Sequence, residues 1–278
     1  MTLQKHSVAV VTGAGSGIGR ALAIRLAAEG IAGLAMVDVN AEGLAETAGQ
    51  ITGATKVTTH VVDVADRERM REFADEVVRV HGRVTHVINN AGVALGGTVK
   101  EVTLDEIEWL MSVNFWGVVH GTKFFLPYLE KEPVAHIVNV SSIFGMVAPP
   151  GQAAYCASKF AVRGFTEALR HELEGSNIAV SVVHPGGVST NIANNARIAE
   201  NTAHSPEEIE RRLEKMNRNL STTTPARAAE TIVRGIKSRN PRITVGPDSK
   251  ILSLIQRLFP KRYFAIADKL TGGKLSET

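Results

Sequence analysis

Cysteine is nearly absent: Cys156 is the single thiol in 278 residues, so no internal disulfide can form and a reducing compartment is the default. Cys and His never cluster at zinc-ligand spacing, His120 and His136 included, so no metal site is expected. Long apolar runs are missing too. Residues 1–11 hold one lysine and then a short apolar stretch, too short for a secretory h-region or a membrane span. The chain therefore reads as a mature cytoplasmic protein. It has no internal repeat, and 44% hydrophobic with 21% charged residues excludes disordered and collagen-like classes.

Neither sign of charge dominates, since the formal net charge is only +3. The excess is local: residues 201–278 hold 15 Lys and Arg against 8 Asp and Glu, while the first 200 residues are net negative. Nucleic-acid binding would need those cations interleaved with aromatics or set on a recognisable motif, and neither is present. A solvated basic surface, a membrane-facing surface and a lid are the readings left.

What is present is an alternation of short β-branched runs with helix-length amphipathic segments. Strands are expected at 8–12, 33–38, 56–62, 84–89, 134–141, 178–184 and 242–245, and helices at 18–29, 41–51, 66–81, 103–130, 152–174 and 225–238. Continuously apolar strands such as Val8-Ala9-Val10-Val11 suit burial on both faces. The expected fold is α/β: a doubly wound parallel sheet of about seven strands with helices on both faces. Residues 1–248 form a single domain in this reading, with an insertion at 186–224 of the length used for lids and binding loops. Within it, Ser205-Pro206-Glu207-Glu208 is a good helix start. Residues 249–278 form a basic extension, where apolar residues at 251, 252, 254, 255, 258 and 259 make a helical stripe ended by Pro260.

Two constellations carry chemistry. After the first strand comes Gly13-Ala14-Gly15-Ser16-Gly17-Ile18-Gly19, followed by a helix. Glycines let backbone approach a pyrophosphate, and the helix N-terminus offers unpaired N–H groups. Asp38 ends the second strand, where an acid can bind a ribose 2′-hydroxyl and would repel a 2′-phosphate, favouring NAD over NADP. The second constellation is Tyr155 and Lys159, four residues apart on one helix face, with Ser142 thirteen residues upstream. A tyrosine has a pKa of about 10, and a neighbouring ammonium is expected to lower it.

Together with Asp63-Val64, Asn89-Asn90-Ala91-Gly92, Asn114, and Pro185-Gly186 with Thr190, these motifs resemble the short-chain dehydrogenase/reductase family, from Val8 to about Val245. The resemblance implies a Rossmann-type sheet of order 3-2-1-4-5-6-7 and four catalytic residues. Tyr155 is the implied general acid/base and Ser142 holds the substrate oxygen. Lys159 lowers the tyrosine pKa and binds the nicotinamide ribose, and Asn114 holds a water leading to Lys159. Implied cofactor contacts are Gly13, Ser16, Gly17, Ile18 and Gly19 at the phosphates and Asp38 at the ribose. Asp63 and Val64 lie at the adenine, with Asn90, Ala91 and Gly92 on the adenosine. Tyr155 and Lys159, then Pro185, Gly186, Val188 and Thr190, lie toward the nicotinamide.

An apolar set of Val93, Leu95, Ile143, Phe144, Val147 and Ile192, beside Ser142, points to a hydrophobic secondary alcohol or ketone as substrate. His184 reads as packed and Cys156 as structural. The extension has three readings: packing on its own core or a sister subunit, a substrate lid, or peripheral membrane contact through 250–270. By resemblance a homodimer or homotetramer is expected through helices 103–130 and 152–174, with Phe124, Phe125 and Phe165 at the contact. A catalytically idle dinucleotide sensor or scaffold is the rival function, though such proteins usually lose the tyrosine or lysine.

Overall fold

The computed structural model describes residues 3–190, 192, 195–205, 207, 208, 211 and 223–270. Its main sheet holds β1 (Val8–Thr12), β2 (Gly33–Asp38), β3 (Lys56–Val61), β4 (His86–Asn89), β6 (Ala135–Val140), β7 (Ile178–Pro185) and β9 (Arg242–Val245). They run in the order β3-β2-β1-β4-β6-β7-β9, all pairs parallel. In terms of the seven expected strands this is 3-2-1-4-5-6-7. The order reverses between β1 and β4, and the carboxyl ends of strands flanking such a switch point leave a crevice open to ligands.

Two apolar layers sandwich the sheet. On one face α1 (Gly17–Ala28), α2 (Ala41–Gly49) and α7 (Pro225–Lys237) bury Leu22, Leu26, Leu44, Ile232 and Ile236. On the other, α3 (Arg67–His81), α5 (Gly117–Leu129) and α6 (Ala153–Glu172) bury Phe73, Val77, Phe125, Leu129 and Leu169. Phe73 and Phe125 meet edge to face at 5.7 Å, the geometry the ring quadrupoles favour. Phe125 is therefore core, which corrects its expected place at a subunit contact. Trp116 and Phe160 are instead exposed.

The expected helix at 103–130 is interrupted. α4 (Leu104–Met111) starts with a capping box, in which Thr103 and Glu106 each accept from the other's backbone N–H. It passes through a π-helical turn, Ser112–Trp116, into α5. Such a turn squeezes one extra residue into the helix and re-aims a side chain, here Asn114 at its centre. The strand expected from 84 starts at His86, and just before it the Thr85 hydroxyl bonds both backbone groups of Val8.

A small second sheet pairs β5 (Leu95–Gly96) with β8 (Arg197–Ile198), tying the described part of the 186–224 insertion to the loop after β4. Arg197 also lies 3.6 Å over the Trp109 ring, a cation–π contact. Of the helix start at 205–208, Pro206 lies outside the described residues. The extension folds as α8 (Pro247–Leu258) and α9 (Tyr263–Leu270), and residues 271–278 lie outside the described set.

Candidate active site

At the carboxyl end of β1 the chain turns through Gly13 to Gly19 into α1. Gly17 has φ +53°, a conformation L side chains rarely adopt, and a Cβ on Gly19 would fall 1.9 Å from the Gly13 carbonyl oxygen. Only glycine fits that contact. Ser16 caps α1 without a side-chain hydrogen bond, so the first N–H groups keep their capacity for an anion. The sequence reading missed Thr12. Its buried hydroxyl accepts from the N–H groups of Asn90 and Ala91, both at 2.9 Å, and Asn90 Nδ2 donates to Thr12 O at 2.9 Å. Three bonds thus lock the β4 loop to the glycine turn.

Asp38 Oδ2 accepts from Gly15 N at 2.9 Å and Oδ1 from Asn40 N at 3.0 Å, so its carboxylate is fixed at the rim of the turn. The first cation after the glycine turn, Arg20, is committed elsewhere: Nη2 pairs with Glu46 at 2.7 Å and Nε donates to Thr47 Oγ1 at 3.1 Å. Asp63 Oδ1 accepts from Ala65 N, and the Val64 carbonyl accepts from His120 Nδ1 at 2.9 Å.

The end of the cleft that holds Ser142, Tyr155 and Lys159 is built on α6 and the loop after β6. Ser142 and Tyr155 both line the cleft, and Phe144 N donates to Ser142 Oγ at 3.1 Å. Ser141, the competing serine, donates to the Lys159 carbonyl at 2.8 Å and so supports the helix. Lys159 is buried, with Nζ 5.7 Å from the Tyr155 ring centre and donating to Val140 O at 3.4 Å. Asn114 is fully buried. Its Oδ1 accepts from Val93 N at 2.8 Å, and Nδ2 donates to Val93 O at 3.0 Å and Ser158 Oγ at 3.1 Å. Ser158, another residue the sequence reading missed, passes this on to the Tyr155 carbonyl at 2.8 Å.

Electrostatics correct one expectation. Burial pushes the Tyr155 phenol up to about 12, with the Ser142 hydroxyl pulling the other way. Burial also brings Lys159 down to about 8. Desolvation of a charged form outweighs proximity when both groups leave water together. Tyr155 is thus held as the neutral phenol at neutral pH, and Lys159 remains largely a cation.

These groups share one cleft of about 380 Å³. Gly13, Ser16, Gly17, Ile18, Gly19, Asp38, Asp63, Val64, Asn90, Ala91, Gly92, Pro185, Gly186, Val188 and Thr190 line it, as do Ser142, Tyr155 and Lys159. Asn114 sits behind the wall rather than in it. Among the apolar candidates Val93 and Ile192 line the cleft, joined by Ala94 and Val113. Leu95 is buried in the small sheet, and Ile143 and Val147 form a separate apolar cluster with Met146. Phe144 packs against that cluster and meets the Tyr155 ring edge to face at 6.2 Å. Among the described residues no group of three or more His, Cys, Asp or Glu is placed to hold a metal ion.

A nicotinamide dinucleotide fits this donor set: a side-chain-free turn at a helix N-terminus for phosphates, an acid beyond it for a ribose, and a Tyr–Lys pair at the far end. The comparisons agree. The family model described as short chain dehydrogenase matches residues 7–201. SadH of Mycobacterium tuberculosis, named as an oxidoreductase, is 46% identical over 267 residues, covering 95% of this chain and 94% of its own. A protein of Bacteroides thetaiotaomicron named 3-ketodihydrosphingosine reductase is 33% identical over 271 residues, 95% of this chain and 94% of its own. Among solved structures, a short chain dehydrogenase/reductase from Burkholderia phymatum in complex with NAD superposes with TM-score 0.81 at 30% identity, covering 93% of this chain and 95% of that one. With its sheet order, glycine turn and Ser142, Tyr155 and Lys159 in one cleft, the chain belongs to the short-chain dehydrogenase/reductase family of oxidoreductases.

Proposed function

We propose that this oxidoreductase uses NAD to interconvert a hydrophobic secondary alcohol and its ketone, with Tyr155 as general acid/base. The observation that carries the reading is the buried Lys159 beside Tyr155, with Ser142 lining the same cleft, which begins in the glycine turn. When bound, the nicotinamide supplies or accepts the hydride. Tyr155, held protonated, delivers its proton to the carbonyl oxygen in reduction and takes it back in oxidation. Ser142 donates to the same oxygen as negative charge develops on it. The Lys159 cation offsets the negative charge left on the Tyr155 oxygen. Asn114 and Ser158 hold the helix backbone at Tyr155 and the loop backbone at Val93 in register.

Asp38 supports NAD over its 2′-phosphorylated form, because a fixed carboxylate repels that phosphate and Arg20 is engaged by Glu46. The Burkholderia neighbour's complex with NAD supports the same choice. An apolar wall of Val93, Ala94, Val113 and Ile192 supports a hydrophobic substrate, and so does the name of the Bacteroides relative.

The test is a screen of NAD+ and NADP+ reduction across secondary alcohols from small polyols to long-chain and polycyclic ones, followed by nicotinamide absorbance. We expect kcat/KM to rise with apolar size and to favour NAD+ by roughly tenfold or more, about 1.4 kcal/mol. Asp38→Ala should shrink that preference by raising NADP+ turnover. A parent enzyme that prefers NADP+ defeats the Asp38 argument, and turnover confined to charged polyols defeats the substrate class. Dinucleotide binding with no turnover of any alcohol or ketone would favour the idle-sensor reading.

A further inference from the structure

Helix α8 turns apolar side chains outward as well as inward, whereas a surface helix ordinarily keeps its apolar stripe toward the core. Its only fully buried residue is Ser249, whereas Ile251, Leu254 and Leu258 are 55%, 56% and 60% exposed. Spacings of three and four residues set those three side chains on one face. Phe259, at the end of the helix, and Leu270, at the end of α9, are 50% and 69% exposed.

The helix pair is nonetheless firmly seated. Ser249 Oγ donates to the His184 carbonyl at 2.8 Å, Gly187 N donates to Asp248 Oδ2 at 2.6 Å, and Ala148 N donates to the Tyr263 hydroxyl at 3.1 Å. Leu252 and Tyr263 pack on Ile143, Met146 and Val147, in the loop that carries Ser142. Around the apolar face stand the exposed cations Lys250, Arg257, Lys261, Arg262 and Lys269. The acids of the same stretch are Asp248, which faces inward to Gly187, and Asp268.

We infer that α8 and α9 form a docking face for an anionic lipid surface, with α8 lying in the headgroup plane and Ile251, Leu254 and Leu258 reaching the acyl chains. An exposed apolar stripe flanked by Lys and Arg is complementary to that surface both in hydrophobicity and in charge. A second copy is a poorer match, since a two-fold contact through this face sets its cations against their own duplicates. Among the described residues no helix is long and apolar enough to cross a membrane, so the contact is peripheral. Because the pair rests on the loop holding Ser142, docking would bring the substrate side of the cleft close to the lipid. The inference rests on this face alone and stands or falls separately from the cofactor reading.

The test is flotation of the full chain with vesicles of phosphatidylcholine, with and without phosphatidylglycerol, in the absence of nucleotide. We expect binding on the order of tenfold stronger to the anionic vesicles, weakened by salt. A Leu254→Ser/Leu258→Ser variant should lose that binding by on the order of tenfold, and a Lys250→Glu/Arg257→Glu variant should lose the preference for phosphatidylglycerol. All four positions are exposed, so unfolding temperature and short-alcohol turnover should hold in both variants. Parent protein that stays unbound, or a Leu254→Ser/Leu258→Ser variant that binds equally well, overturns the inference. Self-association that this variant abolishes, without vesicle binding by the parent, would make the occupant a second copy and overturn it too.

Discussion

Tyr155→Phe is expected to lower kcat by roughly 10²–10⁴-fold, the usual contribution of a positioned proton donor, while dinucleotide binding and fold persist. The substitution removes one oxygen and leaves the ring, which keeps its edge contact with Phe144. Ser142 keeps its hydroxyl in the cleft and can still donate to a substrate oxygen. The loss should therefore appear in kcat and kcat/KM together, as it does when an interaction belongs to the transition state. Titrating the variant with NADH by fluorescence and comparing its turnover with the parent separates binding from chemistry. A variant that binds NADH and turns over like the parent would remove Tyr155 from the mechanism.

Much of this site was readable from residue order because its parts are local. The glycine turn, the acid closing β2 and the Tyr155–Lys159 pair each need only a few neighbouring residues and one secondary element. Strands buried on both faces also announce themselves as apolar runs, which is why seven strands were found with ends misplaced by at most two residues. What escaped depended on distance in space. The π-turn at Ser112–Trp116 has the same apolar periodicity as the helices it joins, and its function is visible only in where Asn114 points. Thr12 and Ser158 are ordinary in sequence and become structural pins because the loop after β4 and the π-turn lie alongside them. Phe124 and Phe125 are adjacent, and which of them faces Phe73 is a matter of helix rotation. Leu95 looked like cleft wall until its pairing with Arg197 turned it inward.

The tail and the tyrosine show the same limit in energetic form. Periodicity at 251–259 reveals a stripe without saying whether it faces the core or the solvent, and α8 splits it, packing Leu252 inward and turning Ile251, Leu254 and Leu258 outward. Proximity of Tyr155 and Lys159 suggested a lowered phenol, but the sign of a pKa shift is decided by how much water both groups lose. Desolvation wins here for each of them.

Desolvation also sets the expected response to acid, through three fully buried histidines. Burial brings His86 down to about 4, His136 to about 3 and His184 to about 4 from the ordinary 6.5. Hydrogen bonding fixes their tautomers. Thr85 donates its hydroxyl proton to Val8 O, so its oxygen accepts from His86 Nδ1 at 2.8 Å. Ser181 donates to Asn240 O, so it accepts from His136 Nε2 at 2.8 Å. His184 Nδ1 donates to Ser142 O at 2.9 Å. The opposite nitrogens, His86 Nε2, His136 Nδ1 and His184 Nε2, have no hydrogen-bond partner, so a proton added there would be a buried, unpaired charge. The unfolded chain takes up these protons as pH falls below 6.5, and the folded chain does not until about 4. Their contribution to stability is therefore constant above 6.5 and falls between 6.5 and about 4, at about 1.4 kcal/mol per pH unit for each histidine. By pH 5 the three together remove roughly 6 kcal/mol, comparable with the whole stability of many domains, about 5–15 kcal/mol. Urea unfolding at pH 8, 6.5 and 5 measures the effect. His136→Gln, whose amide can still donate to Ser181, should reduce the slope below pH 6.5 by about one proton. Parent stability that is level from pH 8 to 5 would mean that these rings reach water or a partner in the folded chain.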